Sequence, residues 1–316
     1  MNKIKGMLDL SLKRITQTSL GRWISLGLLL AVAASICACT KQSVAPSGSL
    51  NTPKASKPIE SALRIEEIPS SALGGYLAGN HARNDFDPEA AIEFYSRTLT
   101  SDPDNPQILH HLLVGQVALG NLETSLNTAH RLANVRESEP LALLVMAAES
   151  VKEQQFTKSG QYLDRFPETS FYPFIKSLLS AWNSAGNGDV DAAFDKLELL
   201  KTSPNFVATY DYHSALIADI MEKEKIARSA YTRALSAARR PGIRSIMAAG
   251  SFYERNGDIE VARELYESYP MNGPEQTIVE QALENLEKGT PRPKMVATAN
   301  QGFAEALFEI AASLFQ

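Results

Sequence analysis

At 316 residues with 44% hydrophobic side chains, the chain has apolar material for one long domain or two compact ones, which excludes a disordered tail. A formal net charge of -5 argues against a nucleic-acid binder, whose footprint would be basic. The charge is uneven: Lys3, Lys5, Lys13, Arg14 and Arg22 crowd the start with only Asp9 to offset them, so the remainder carries roughly -9.

Those basic residues precede an apolar stretch from about Trp23 to Ala34 and then small residues, the order of a secretory signal. The stretch is shorter than the about 20 apolar residues that span a bilayer comfortably. The chain's two cysteines, Cys37 and Cys39, follow at once. They have no nearby His to complete a metal site, lie too close for an ordinary structural disulfide, and lack the C-x-x-C spacing of thiol oxidoreductases. Ile36, Cys37, Ala38 and Cys39 resemble a bacterial lipobox, although Cys37 is unusual inside that motif. The resemblance implies removal of residues 1–38 and lipidation of Cys39 by acyl chains such as palmitate. Several chains on one residue meet the need for more than one anchoring signal. Thr40 and Lys41 follow without an acidic residue, which on this resemblance points to the bacterial outer membrane, facing the periplasm. Plain secretion and an uncleaved anchor are the alternatives.

Residues 39–70 are rich in Ser, Pro, Lys and Thr, the composition of a flexible tether. Self-similarity begins after it. "FDPEAAIEFYSRTLTSDPDNP" from Phe86, "IARSAYTRALSAARRP" from Ile226 and "GDIEVARELYESYP" from Gly257 share a small residue, an aromatic four positions on, and a later proline. The pairs are Ala91 and Tyr95, Ala227 and Tyr231, Ala262 and Tyr266. This resembles the second helix of a tetratricopeptide repeat, and "GIRSIMAAGSFYERNGD", with Ile246, Ala249, Gly250 and Tyr253, resembles the first. Steps of about 34 residues carry the register along the chain. The fold expected from the resemblance is all-α: a right-handed α-solenoid of about six TPR-like helix pairs over residues 71–270. Small side chains at Ala91, Gly250 and Ala262 would let helices approach closely while the tyrosines fill the wedge between them.

Residues 271–316 depart from the repeat. A helix is expected from about Pro274 to Gly289, then a loop, then a very apolar helix from Gly302 to Gln316. That last helix would cap the stack, dock on a partner, or lead into further sequence; similar bacterial tetratricopeptide lipoproteins are longer chains.

No catalytic constellation is present. The five histidines show no metal-ligand spacing, and no nucleophile elbow, phosphate loop or dinucleotide fingerprint occurs. Neither enzymatic activity, a cofactor nor a metal is therefore expected. In the resembled family the first helices line a concave groove, which implies Tyr76, Asn80, His110, Val114, Leu144, Leu178, Trp182, Tyr212, Leu216, Met247 and Ser251 as partner-binding residues. Aromatic and aliphatic side chains with a few polar ones suit an extended or helical peptide. The expected function is a membrane-anchored envelope scaffold or assembly factor with a protein or peptide partner, and no nucleic acid or small-molecule substrate. The alternatives are the docking half of a cell-wall enzyme system, or a structural spacer.

Overall fold

The computed structural model describes residues 71–237, 241–270 and 273–314. The signal segment, Cys39 and the tether lie outside the described residues. The chain divides into two compact units, Met1–Arg131 and Leu132–Gln316. Among the described residues all regular structure is helical.

Six helix pairs follow one another. The first unit holds α1 (Ala72–Asn84) with α2 (Pro88–Thr98), then α3 (Pro106–Ala118) and most of α4 (Leu122–Val135). The second holds the end of α4, then α5 (Pro140–Lys152) with α6 (Phe156–Leu163), α7 (Tyr172–Gly186) with α8 (Val190–Leu197), α9 (Val207–Ile220) with α10 (Glu224–Ala237), and α11 (Ile243–Arg255) with α12 (Ile259–Glu267). Short 3-10 turns at Glu198–Thr202 and Pro204–Phe206 join α8 to α9. Two further helices close the chain, α13 (Gln276–Glu287) and α14 (Ala299–Leu314). The expected all-helical repeat is thus present.

One local device makes every pair. The first helix of each ends on a residue with left-handed backbone: Phe86, Gly120, Gln154, Gly188, Glu222 and Gly257. The next N–H then reaches back to a carbonyl five residues earlier, as from Asn121 to Gln116 at 2.9 Å, Gln155 to Ser150 at 2.7 Å and Asp258 to Tyr253 at 2.9 Å. This is the Schellman closure, which satisfies carbonyls that the helix end would leave unpaired. The second helix starts at once, and Asp87 and Asp189 cap theirs by accepting from the amides of Ala90 and Ala192. Proline at the first position of α2, α3 and α5 costs no helical hydrogen bond there.

Packing follows the small and aromatic spacing. Ala91, Tyr95, Ala227, Tyr231, Ala262 and Tyr266 are all buried. Within α1 and α2 the Tyr95 ring lies so close to Gly79 that a Cβ there would sit 2.6 Å from it, and at Gly250 a Cβ would sit 2.3 Å from the Tyr266 ring. Two of these hydroxyls are satisfied: Tyr95 donates to Asn80 at 2.9 Å, and Tyr266 donates to the Glu254 carboxylate. Burial pushes the Tyr95 hydroxyl up to about 12.

Candidate partner-binding groove

After α13 the repeat pattern breaks in an informative place. Gly289 takes the same left-handed backbone, and the Thr290 N–H closes the same turn onto Asn285 at 3.1 Å. No second helix follows directly. Pro291 and Pro293 disfavour helix in the next residues, which are not helical, and this segment is fastened to the first helices α9 and α11. The Arg292 N–H donates to Glu254 Oε2 at 2.7 Å, Ser251 Oγ donates to the Pro293 carbonyl at 3.2 Å, and Lys294 Nζ donates to the Asp219 carbonyl at 2.6 Å.

The segment delivers α14 onto α5, α7 and α9, all of them first helices. Gly302 meets the fully buried Trp182 so closely that a Cβ would stand 2.0 Å from the indole. Trp182 Nε1 donates to His213 Nδ1 at 3.0 Å, which leaves Nε2 as the protonated nitrogen, and it donates to Glu309 at 2.9 Å. Thr209 donates to the other Glu309 oxygen at 2.5 Å. Burial alone would raise the Glu309 carboxyl, but the His213 and Thr209 hydrogen bonds outweigh it and hold Glu309 below its usual range. One turn earlier, Glu305 accepts from Tyr212 Oη at 2.9 Å and Arg244 Nε at 2.7 Å, and Arg244 Nη2 closes a bidentate pair. Burial and the Glu305 charge push the Tyr212 hydroxyl well above its usual value. Arg244 also lies 4.6 Å over the Phe308 ring, and Asn300 donates to the Val151 carbonyl at 2.7 Å.

The backbone is similar to two solved structures. One is the crystal structure of PilW, a widely conserved type IV pilus biogenesis factor, with a TM-score of 0.53 and 15% identity over 66% of this chain and 98% of that one. The other is a tetratricopeptide repeat protein from Parabacteroides merdae, with a TM-score of 0.52 and 16% identity over 71% of this chain and 87% of that one. The chain has the tetratricopeptide-repeat fold. No family model and no curated protein sequence matches it. In this fold the partner-binding residues expected from sequence all lie on first helices, and the two units treat theirs differently. In the first unit Tyr76, Asn80, His110 and Val114 are half-buried, as is Leu144 in the second. The other six expected tetratricopeptide groove residues are buried: Leu178, Trp182, Tyr212, Leu216, Met247 and Ser251. Trp182 lies beneath Gly302, Tyr212 is bonded to Glu305, and Ser251 is bonded to Pro293. Much of the second unit's inner face is therefore taken by the chain's own residues 290–314.

The sequence reading missed the groups that hold α14: His213, Thr209, Arg244, Glu305 and Glu309. The available signal was the pair of carboxylates four residues apart in an otherwise uncharged apolar helix. Beside Ile310 remains a cavity of about 410 Å³ lined by Phe171, Phe174, Leu178, Phe206 and Glu309 among others. In the first unit, His111 stacks on Tyr95 at 5.5 Å, and the Arg83 guanidinium donates to its Nδ1 at 3.0 Å. Burial, with Arg83 and His110 adding to it, lowers His111 to about 4. Gln107 donates to Tyr76 Oη across α1 and α3. Among the described residues no group of three or more His, Cys, Asp or Glu is arranged for a metal ion, and no helix is long and apolar enough to cross a membrane.

Proposed function

We propose that this chain is a non-catalytic scaffold or assembly factor of the bacterial cell envelope, held to a membrane by lipid on Cys39 and binding protein partners along the inner faces of its helix pairs. The observation that carries the reading is α14 itself. A helix lies against α5, α7 and α9 through a close glycine contact and two hydrogen-bonded carboxylates, so this inner face has the chemistry to receive one. Aromatic, polar and aliphatic groups on the first unit's inner face, Tyr76, Asn80, His110 and Val114, are the surface we assign to partner contact. The similarity to PilW, described as a pilus biogenesis factor, is compatible with an envelope setting. The lipobox resemblance at Ile36 to Cys39, and the division into signal 1–38, tether 39–70, solenoid 71–270 and C-terminal helices 271–316, belong to the same reading.

Two experiments test it. Cys39→Ser should move the protein from the membrane fraction to the soluble envelope fraction; retention in the membrane would overturn the anchor. A photocrosslinker replacing Tyr76 or His110 in intact cells should trap a saturable protein partner. Equal, unsaturable labelling from outward positions such as Glu89 would favour a plain spacer.

A further inference from the structure

We infer that the inner face of α5, α7 and α9 is a receptor for an amphipathic helix bearing a small residue followed by carboxylates three and seven positions on, and that α14 is a tethered occupant which an external helix of this pattern replaces. The inference rests on the proposed scaffold function and names the partner class for one of its surfaces.

Four observations carry it. First, α13 ends with the closure that elsewhere starts a second helix within two residues, but two prolines divert the chain inward, so α14 is not the second member of a pair. Second, its main neighbours are first helices only, while the small and aromatic seams within α9 to α12 close through Ala227, Tyr231, Gly250, Ala262 and Tyr266 without it. Third, its recognition is directional. Gly302 fits Trp182, Glu305 meets Tyr212 and Arg244, and Glu309 meets His213 and Thr209, so one spacing fixes the helix's register and polarity. A helix needed only as filler would do as well with apolar residues there, since a buried carboxylate must regain its lost hydration from its partners. Fourth, both carboxylates find their partners across the contact and not within α14: Glu305 pairs with the Arg244 cation, and Glu309 accepts from His213 and Thr209. Two carboxylates four apart repel on a free helix, and the groove supplies a separate receiver to each. The receiver is also reachable from solvent at one edge, where the side chain of Arg244 is 45% exposed.

The short link from α13 gives α14 an effective concentration of about millimolar, so an external helix competes visibly only where α14 is weakened or the rival is tighter. The test uses the full chain and a fluorescein-labelled peptide of residues 296–314. Glu305→Ala with Glu309→Ala in the chain should raise peptide affinity at least tenfold over the unsubstituted chain in fluorescence anisotropy. A peptide with the same two changes should lose that binding at least tenfold. A doubly substituted chain that keeps its helical circular dichroism yet binds the peptide no better overturns the inference, as does equal binding of the carboxylate-free peptide. Should the double variant unfold, the unsubstituted chain decides by amide hydrogen exchange. Saturating peptide should strip protection from 303–310 while sparing α10 and α12, whereas α14 amides that open only together with α9 overturn it. A chain blind to the peptide that still traps a partner through Tyr76 leaves the scaffold reading standing. Peptide binding without any trapped partner in cells overturns the scaffold reading instead.

Discussion

Three of the six turn residues that close the pairs are not glycine. Phe86, Gln154 and Glu222 hold φ of 60°, 59° and 56°, a region where a Cβ crowds the following carbonyl at a cost of about 1 kcal/mol. Their side chains are exposed, so nothing else requires them. Glu222→Gly should therefore stabilise the second unit by up to about 1 kcal/mol in urea unfolding, the relief being partly offset by a freer unfolded chain. Gly250→Ala should act in the opposite sense. Its new methyl would sit 2.3 Å from the Tyr266 ring, which is held by its bond to Glu254, so a loss of about 1–3 kcal/mol is expected in the same assay. Equal effects from the two changes would contradict this picture. At this scale much was legible in the sequence. Gly120, Gly188 and Gly257 announce their turns and Asp87 its cap, whereas Glu222 carries no local mark because the left-handed residue is imposed by the helices on either side.

Among elements, the second helices were the most readable. Small and aromatic residues four apart, as at Ala262 and Tyr266, can only be explained by one face meeting a close neighbour, and both are buried. The place of α14 was not readable. Its apolar face demands cover, but Thr209 and Glu309 lie 100 positions apart in sequence, and no local pattern encodes so distant a contact. Its docking should depend on acid in a defined direction. Glu309 is depressed in the folded chain, so its contribution is present above its unfolded value of about 4.5 and is lost as pH falls through the lower folded value. The groups facing it are His213 and Thr209, with Tyr212, Arg244 and Glu305 one turn away. The inner face of α1 and α3 should respond in a different window. His111 is lowered to about 4 beside Arg83, His110 and Tyr95, so the unfolded chain takes up a proton that the fold refuses. Stability there should fall as pH drops from about 6.5 toward 4. Amide exchange read separately over α1 to α3 and over α14 checks both windows. Coincident loss at a single pH would contradict the assignment.

For the whole molecule, the repeat explains why each unit offers a surface of first helices. Each helix pair buries its apolar face only against its neighbours, and what is left over is an inner face in each unit. The sequence disclosed the composition of these faces, through Tyr76 in the first unit and Trp182 and Tyr212 in the second, but not their occupancy. Six of the eleven expected residues are buried, all in the second unit, with Trp182, Tyr212 and Ser251 in direct contact with residues 290–314. On the proposed function, the first unit's face serves one partner while the second unit's face, already holding a helix, is released to a competitor. The central claim, that carboxylates on α14 are specifically received by the second unit's inner face, is tested most directly by a double-mutant cycle of Arg244→Ala and Glu305→Ala in the full chain. The readout is the opening free energy of α14 amides from hydrogen exchange. The account predicts a coupling of about 1–2 kcal/mol between the two changes, and effects that simply add would contradict it.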